Sequence, residues 1–188
     1  MPFDFESTPI PGVTLVTAAR FADNRGHFLE TFREAAFSDL GLDVRFVQIN
    51  ESVSKRKTLR GLHYQLEPHA QGKLVRVLRG AVLDVAVDIR KGSPTFGKHV
   101  AAQLDATGGR MMWIPPGFAH GFCALADDTH FLYMQTHEYV PTAEAGIDPL
   151  DPELALEWPF AAEELLLSPK DLELGPLALA QRNFVFAE

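Results

Sequence analysis

The 188 residues carry a formal net charge of −8, with 46% hydrophobic and 22% charged residues. This balance is typical of a chain that folds around a core, and it excludes disordered, collagen-like and coiled-coil architectures. An acidic chain lacks the clustered cations that bind a nucleic-acid backbone, so we expect no nucleic acid as a partner. No run approaches the ~18 apolar residues of a membrane span, so we expect no membrane partner and a cytoplasmic location.

The length predicts one domain over residues 1–188. Short β-type runs, separated by turn residues, cover 13–18, 27–32, 44–53, 74–80, 81–90, 99–104, 111–115, 120–125 and 130–140. This even spacing predicts an all-β barrel or sandwich over about residues 1–140. One helical pattern, REAAFSDLG, interrupts the strands and ends at Gly41. Arg79-Gly80 and Gly108-Gly109 are predicted to form hairpin turns.

The amino-acid composition of the chain changes after Tyr139. The segment VPTAEAGIDPLDPELALEWPF is rich in Pro and Asp, and a leucine-rich stretch follows it. We expect residues from about 141 to 188 to wrap over the barrel as loops and short helices. The one cysteine, Cys123, excludes an internal disulfide, and its apolar neighbours predict a buried strand residue.

Alternation along the strands places polar side chains on one face. Gln48 and Asn50 point the same way, as do the alternate residues of FLYMQTHEY. In TLRGLHYQ, Arg60 and His63 have opposite parity unless Gly61 bulges the strand, and bulges redirect side chains beside functional sites. We expect such a bulge, with both side chains facing inward.

One group of residues suits the removal of a proton next to a ketone. It consists of Arg60, His63, Lys73 and Tyr133. Such enolisation needs a base with a pKa near neutrality, a cation beside the developing oxyanion and an acid that returns the proton. A lone histidine in a strand is more often a hydrogen-bonded structural residue, so the group of residues, rather than His63 alone, indicates catalysis.

A metal site is the alternative for the same region. GLHYQLEPH followed by PPGFAHGF is similar to the two-motif layout of metal-binding cupin barrels, and the candidate ligands are His63, Glu67, His69 and His120. However, Gln65 stands where the second histidine of the usual His-x-His pair belongs. We therefore expect no metal ion.

Several longer motifs make the chain recognisable. They are DNRGHFLETF at 23–32, QINES at 48–52, LRGLHYQ at 59–65, the block from 72 to 98, IPPGFAHGF at 114–122 and SPKD at 168–171. In this order they resemble the dTDP-4-dehydrorhamnose 3,5-epimerase family, cofactor-free cupins that act on dTDP-4-keto-6-deoxyglucose. The resemblance implies an all-β cupin-type jelly-roll barrel with a C-terminal extension, no cofactor, and inversion at C3, C5 or both of the sugar.

The resemblance also implies roles for four residues. His63 would be the base that removes the protons at C3 and C5, and Asp171 would orient its imidazole. Tyr133 would be the acid on the opposite face of the sugar. Lys73 would stabilise the enolate at the C4 oxygen, the electrostatic contribution that makes a weak carbon acid removable near neutral pH.

A substrate-binding set is implied at matching positions. It consists of Phe21, Arg25, Phe28, Glu30, Gln48, Asn50, Arg60, His120, Tyr139, Glu144 and Lys170. The arginines suit the diphosphate, because a guanidinium fork matches phosphate oxygens. Tyr139 would stack on the thymine, with Phe21 and Phe28 nearby. The RGHFLE segment would come from the partner in a strand-exchanged homodimer.

Alternatives remain at this point. Asp171 follows Ser168 and Pro169 as in a capped helix start, and Asp84 competes as the residue that orients His63. Met134 stands where the rhamnose-pathway enzymes usually have lysine. This and other departures, at 138–139 and 146–152, leave open whether C3, C5 or both are inverted and which deoxysugar pathway is served. A metal-dependent cupin oxygenase or isomerase and a non-catalytic nucleotide-sugar binding barrel are the alternative functions.

Overall fold

The computed structural model describes residues 2–39, 41–42 and 44–187. Its strands are β1 (Phe3–Ser7), β2 (Thr14–Ala18), β3 (Arg20–Asp23), β4 (Gly26–Leu29), β5 (Gln48–Ser54), β6 (Leu59–Gln65), β7 (Lys73–Arg79), β8 (Ala81–Asp88), β9 (His99–Asp105), β10 (Arg110–Ile114), β11 (Phe118–Ala124), β12 (Thr129–Gln135) and β13 (Glu144–Gly146). The α-helices are α1 (Glu34–Ser38) and α2 (Pro169–Leu172). Across these ranges, no helix is long and apolar enough to cross a membrane.

The strands form two large antiparallel sheets and a separate ribbon. One sheet has six strands in the order β1-β2-β10-β7-β12-β5, and the other has five in the order β13-β6-β11-β8-β9. Strands β3 and β4 pair only with each other. The predicted all-β architecture is confirmed.

The main core lies between the two sheets. Val75, Met112 and Phe131 come from the six-stranded sheet and pack against residues of the five-stranded sheet, including Leu104 and Phe122. Alternation explains this arrangement, because each strand contributes every second side chain to the layer between the sheets.

Each sheet is also covered on its outer face. Residues after 146, among them Ile147, Leu154 and Leu177, pack on Leu62 and other residues of the five-stranded sheet. These residues belong to the predicted C-terminal extension of loops and short helices. Because β11 lies in the middle of the five-stranded sheet and is covered on both faces, it is a continuous run of buried residues rather than an alternating one.

The six-stranded sheet is covered by the N-terminal part of the chain. Phe37 of α1 is fully buried and packs edge-on to the rings of Phe3 and Phe5. The predicted helix is thus present, and Gly41 follows its end with a φ of +76°. Cys123 is buried in β11, as predicted.

The two predicted hairpins are wrong. Gly80 and Gly109 do have positive φ, +79° and +66°, so the chain turns at both places. However, β7 and β8 on either side of Gly80 belong to different sheets, and so do β9 and β10 around Gly109. A turn signal marks a change of direction, but it does not show whether the next strand pairs with the last one or crosses to the facing sheet.

Some strand boundaries also differ from the prediction. The run at 27–32 is a strand only to Leu29, the run from 44 begins pairing at Gln48, and the run to 140 ends at Gln135. The three-residue β13 was not predicted, because it lies in a Pro-rich segment and forms only through pairing with β6.

Gly80→Ala is expected to destabilise the fold more than Gly92→Ala. The two glycines have nearly equal φ, +79° and +81°, but a Cβ on Gly80 would lie 2.4 Å from Thr129 Oγ1 whereas a Cβ on Gly92 would meet nothing within 4 Å. The overpacking should lower the free energy of unfolding by about 1–3 kcal/mol beyond the backbone strain that both variants share. Urea denaturation measures this difference, and equal losses in the two variants would contradict it.

Candidate active site

One pocket of about 140 Å³ opens between the sheets and gathers most of the predicted residues. The predicted residues that line it are Asn50, Arg60, His63, Lys73, His120, Tyr133, Tyr139 and Glu144. They come from both sheets and from the segment that follows β12. The fold therefore brings together residues that are up to 94 positions apart in the sequence (144 − 50 = 94).

A bulge in β6 brings Arg60 and His63 to the same pocket. His63 lies opposite His120 of β11, and Arg60 lies opposite Phe122, so three residue steps on β6 match two on β11. Gly61 has a φ of +113°, and a Cβ there would lie 2.6 Å from the His120 carbonyl oxygen. The predicted bulge at Gly61 is confirmed, and only glycine allows the two backbones to approach so closely.

His63 is hydrogen bonded to Asp171 of α2. Its Nε2 lies 2.6 Å from Asp171 Oδ1. Burial acts to raise the pKa of Asp171, but the contacts with His63 and Ser168 outweigh burial and hold that pKa below its usual value. Because the ionised carboxylate can only accept, Nε2–H donates and the lone pair of the neutral imidazole lies on Nδ1.

The two structural alternatives for this pair are resolved by the contacts. Ser168 caps α2, since its Oγ accepts from the Asp171 N–H at 3.1 Å, and the Asp171 carboxylate is left to His63. Asp84 accepts a hydrogen bond from His120 Nε2 at 2.8 Å, whereas His63 Nε2 bonds Asp171. Burial is the main cause that lowers the pKa of His120, which keeps its ring neutral near pH 7.

Lys73 places a buried cation at the base of the pocket. It begins β7, is only 8% exposed, and its Nζ donates to the His63 carbonyl at 3.3 Å. Burial lowers its pKa to about 8, although Asp84 and Glu144 act in the opposite direction. At pH 7 the amine therefore still carries its proton, at a position largely withdrawn from water, where a charge acts strongly.

Tyr133 reaches the pocket from the opposite sheet. It lies on β12, while His63 and His120 lie on β6 and β11. Its hydroxyl is 3.1 Å from Ser52 Oγ, and burial raises its pKa to about 12. The phenol is thus protonated throughout the neutral range and is able to donate a proton.

Three charged or polar side chains form the rim. Tyr139 donates its hydroxyl hydrogen to Glu144, and Lys170 Nζ lies 2.5 Å from the same carboxylate. Burial acts to raise the pKa of Glu144, but these contacts outweigh it and the pKa lies below its usual value. Lys170 lines an adjoining pocket that it shares with His63, Tyr139 and Glu144. The predicted rim residues are therefore linked by one network.

Four predicted binding residues lie elsewhere. Phe21 and Phe28, on the β3–β4 ribbon, are 59% and 68% exposed. Arg25 pairs with its neighbour Asp23 at 2.6 Å, and Glu30 pairs with Arg33 at 3.2 Å. None of the four lines the pocket of its own chain. Gln48 lies beside the pocket lining, where its side chain bonds Asn50 at 3.1 Å.

The four residues of the metal hypothesis are not gathered. His63 and His120 bond Asp171 and Asp84, whereas Glu67 and His69 lie outside the lining of the pocket. In the part of the chain that the structure describes, no group of three or more His, Cys, Asp or Glu side chains is placed to hold a metal ion.

Some pocket residues were missed by sequence reasoning. They are Tyr64, Gln65, Gln71, Phe122 and Gln135. Strand parity placed Gln135 on the face of Tyr133 and was a usable signal. Gln71 precedes β7 in a loop, where no periodicity applies, and its position follows only from the tertiary fold.

The chain is similar in sequence to known proteins. The family model for dTDP-4-dehydrorhamnose 3,5-epimerase matches residues 7–178. A curated dTDP-4-dehydrorhamnose 3,5-epimerase from Shigella flexneri is 51% identical over 88% of this chain and 91% of its own. A dTDP-4-dehydrorhamnose 3-epimerase from Streptomyces niveus is 42% identical over 92% of this chain and 83% of its own.

A solved structure shares the whole fold. It is the dTDP-6-deoxy-D-glucose-3,5-epimerase from Legionella pneumophila Philadelphia 1, in complex with dTDP-4-keto-L-rhamnose. Its TM-score with this chain is 0.90 at 46% identity, and the match covers 94% of each chain. The predicted cupin-type jelly roll is thereby confirmed.

Lys73→Met is expected to stabilise the fold at neutral pH. The folded protein has a Lys73 pKa of about 8, against an ordinary 10.5, so between these values the unfolded chain binds the extra proton and stability rises with pH. Below pH 8 the buried charge is present in the fold, and removing it should raise the free energy of unfolding by about 1–3 kcal/mol.

Urea denaturation at pH 7 and pH 10 measures this effect. Lys98→Met is the matched control, because Lys98 is exposed. The advantage of Lys73→Met over the natural protein should shrink at pH 10, where the folded protein already holds a neutral amine. A variant less stable than the natural protein at pH 7 would contradict the burial argument.

Proposed function

Because the chain belongs to the dTDP-4-dehydrorhamnose 3,5-epimerase family, we propose that it inverts C3, C5 or both of dTDP-4-dehydro-6-deoxy-D-glucose. The reaction proceeds through an enolate next to the C4 ketone. The observation that carries the proposal is that His63 and Tyr133 reach one pocket from opposite sheets, with Lys73 at its base. Residues 1–188 act as a single domain in the cytoplasm.

His63 is the base. Its Nδ1 carries the lone pair because Asp171 holds the other ring nitrogen, and the ionised carboxylate stabilises the imidazolium that forms when the proton is taken. Asp171 is thus a positioning residue, since it acts through His63. The C4 ketone acidifies the protons at both C3 and C5, so one base serves either position.

Lys73 stabilises the enolate. Proton removal moves negative charge onto the C4 oxygen, and a buried ammonium group beside that oxygen lowers the barrier without any solvent rearrangement. The depressed pKa of Lys73 also makes the ammonium a better hydrogen-bond donor to the oxyanion. No cofactor is needed, because the ketone and this cation together supply the electron sink.

Tyr133 returns a proton to the other face of the ring. A centre is inverted only when the new proton arrives opposite to the side from which the old one left. His63 and Tyr133 belong to facing sheets, so a sugar ring held between the sheets has one on each face. Burial keeps the phenol protonated, as an acid at this position must be.

The rest of the pocket suits a nucleotide sugar. Arg60 supplies a fork for the diphosphate, and Asn50 and His120 supply hydrogen bonds to the sugar or its phosphates. Tyr139 at the rim is 46% exposed, which leaves its ring free to stack on the thymine. Glu144 and Lys170 fix the hydroxyl side of that ring.

A homodimer with strand exchange completes the site. Phe21, Arg25, Phe28 and Glu30 lie on or beside the β3–β4 ribbon, which packs into neither large sheet of its own chain. Two largely exposed phenylalanines on a paired ribbon are suited to be covered by a second subunit. In the dimer, the ribbon of one subunit brings Arg25 to the pocket of the other.

His63→Asn and Tyr133→Phe are expected to reduce turnover of dTDP-4-dehydro-6-deoxy-D-glucose by about 10²–10⁴-fold, the usual contribution of a positioned acid or base. The Kd of dTDP should stay within about threefold of its value in the natural protein, since neither residue is proposed to bind the nucleotide. NMR of the products and titration calorimetry with dTDP measure the two quantities. His130→Asn is the control, because His130 bonds Glu51 outside the pocket.

The alternative functions predict other outcomes. A metal-dependent oxygenase or isomerase would copurify with stoichiometric metal when prepared without a histidine tag and would lose activity on metal removal. A non-catalytic barrel would bind dTDP but would not turn the sugar over. Either result in the natural protein would overturn the epimerase proposal.

Mixing two inactive variants tests strand exchange. In a dimer of His63→Asn with Arg25→Ala, one site contains both defects and the other contains neither, so activity should return to about a quarter of the natural level after random exchange. Each variant alone should have low epimerase activity at limiting substrate. If the ribbon served its own chain, both sites of every dimer would be defective and mixing would restore nothing.

A further inference from the structure

Residues 137–140 form a short segment that carries Tyr139 over the pocket. The segment leaves the six-stranded sheet after Gln135, where β12 ends, so the main-chain groups of this segment need partners other than a neighbouring strand. Four successive residues find these partners in glutamine side chains. We call Gln48, Gln65 and Gln71 the glutamine clamp.

The clamp donates hydrogen bonds to the first two residues of the segment and accepts them from the last two. Gln71 Nε2 donates to the His137 carbonyl at 2.8 Å, and Gln65 Nε2 donates to the Glu138 carbonyl at 3.1 Å. The next two residues use their N–H groups. Tyr139 N donates to Gln48 Oε1 at 2.8 Å, and Val140 N donates to Gln65 Oε1 at 2.6 Å.

The clamp is itself held rigidly. Gln65 and Gln71 are 3% and 9% exposed, and Gln65 Nε2 also donates to the His69 carbonyl at 2.7 Å. The side chains of Gln71, Gln135, Asn50 and Gln48 form a continuous chain of amide hydrogen bonds at 3.4, 3.1 and 3.1 Å. The buried amides of this network, those of Gln65, Gln71 and Gln135, specify one conformation, because each lost bond leaves a buried polar group without a partner.

We infer that Gln65 and Gln71 are positioning residues for nucleotide binding, acting through Tyr139. The inference rests on the proposed function, in which Tyr139 stacks on the thymine. Tyr139 is 46% exposed and only its hydroxyl is held, by Glu144, so the position of the ring also depends on the main chain beneath it. By holding that main chain before the ligand arrives, the clamp removes the entropy cost of ordering the segment on binding.

Gln65→Met tests the inference by removing three hydrogen bonds without adding a charge. The Kd of dTDP should rise by about tenfold, whereas kcat at saturating sugar nucleotide should change by less than about threefold, because the lost order affects binding rather than the reacting atoms. Gln103→Met is the matched control, since Gln103 is exposed on β9. An unchanged Kd in the Gln65 variant would overturn the inference.

A double-mutant cycle with Tyr139→Ala separates positioning from a general loss of structure. If Gln65 acts through Tyr139, Gln65→Met should change the Kd of dTDP by less than about twofold once the tyrosine ring is absent. Equal effects with and without the ring would contradict the inference. Should Gln65→Met fail to fold, Gln71→Met is measured in the same cycle.

Hydrogen exchange of the free protein tests the clamp independently of the reaction. The N–H groups of Tyr139 and Val140 should be protected in the natural protein and should exchange at least about tenfold faster in Gln65→Met. Natural protein that binds dTDP without turning the sugar over would refute the proposed function and leave the clamp intact. Unchanged exchange in Gln65→Met would refute the clamp and leave the proposed function intact.

Discussion

The hydrogen bond between His63 and Asp171 joins the C-terminal extension to the five-stranded sheet at the site itself. The extension covers the outer face of that sheet, and α2 within it delivers one buried carboxylate to the edge of the pocket. The same contact selects the imidazole tautomer with its lone pair on Nδ1. Docking of the C-terminal segment therefore also orients His63, the proposed base: a segment that did not dock would leave this imidazole without Asp171.

Burial sets the protonation states of the two other residues proposed to act on the sugar, Lys73 and Tyr133. It lowers the pKa of Lys73 to about 8 and raises the pKa of Tyr133 to about 12. Near neutral pH the pocket thus holds a charged ammonium group on Lys73 and a protonated phenol on Tyr133. The buried charge of Lys73 opposes stability, because a desolvated charge costs free energy. The site tolerates this cost because the core between the sheets and the two outer layers are closely packed.

Local sequence signals predicted part of this arrangement. The parity conflict in LRGLH predicted the Gly61 bulge, because a period of two cannot otherwise place Arg60 and His63 on one face. The same local reasoning predicted hairpins at Gly80 and Gly109, where the chain instead crosses between sheets, since a turn motif contains no information about the distant strand that each neighbour pairs with. Asp171 and His63 are 108 positions apart, and only the resemblance to a family linked them. Gln71 had no local signal, as its partners, the His137 carbonyl and the Gln135 side chain, are brought to it by the tertiary fold.

The proposed mechanism depends most on the separation of base and acid onto opposite faces of the sugar. Site-resolved deuterium incorporation in D2O by the Tyr133→Phe variant tests it directly, with NMR of C3 and C5 as the readout. If His63 removes the proton and Tyr133 returns it from the other side, the variant should still exchange the C3 or C5 proton, or both, while the sugar keeps its configuration. Exchange with inversion at the natural rate, or exchange that survives in His63→Asn, would contradict the assignment of the two roles.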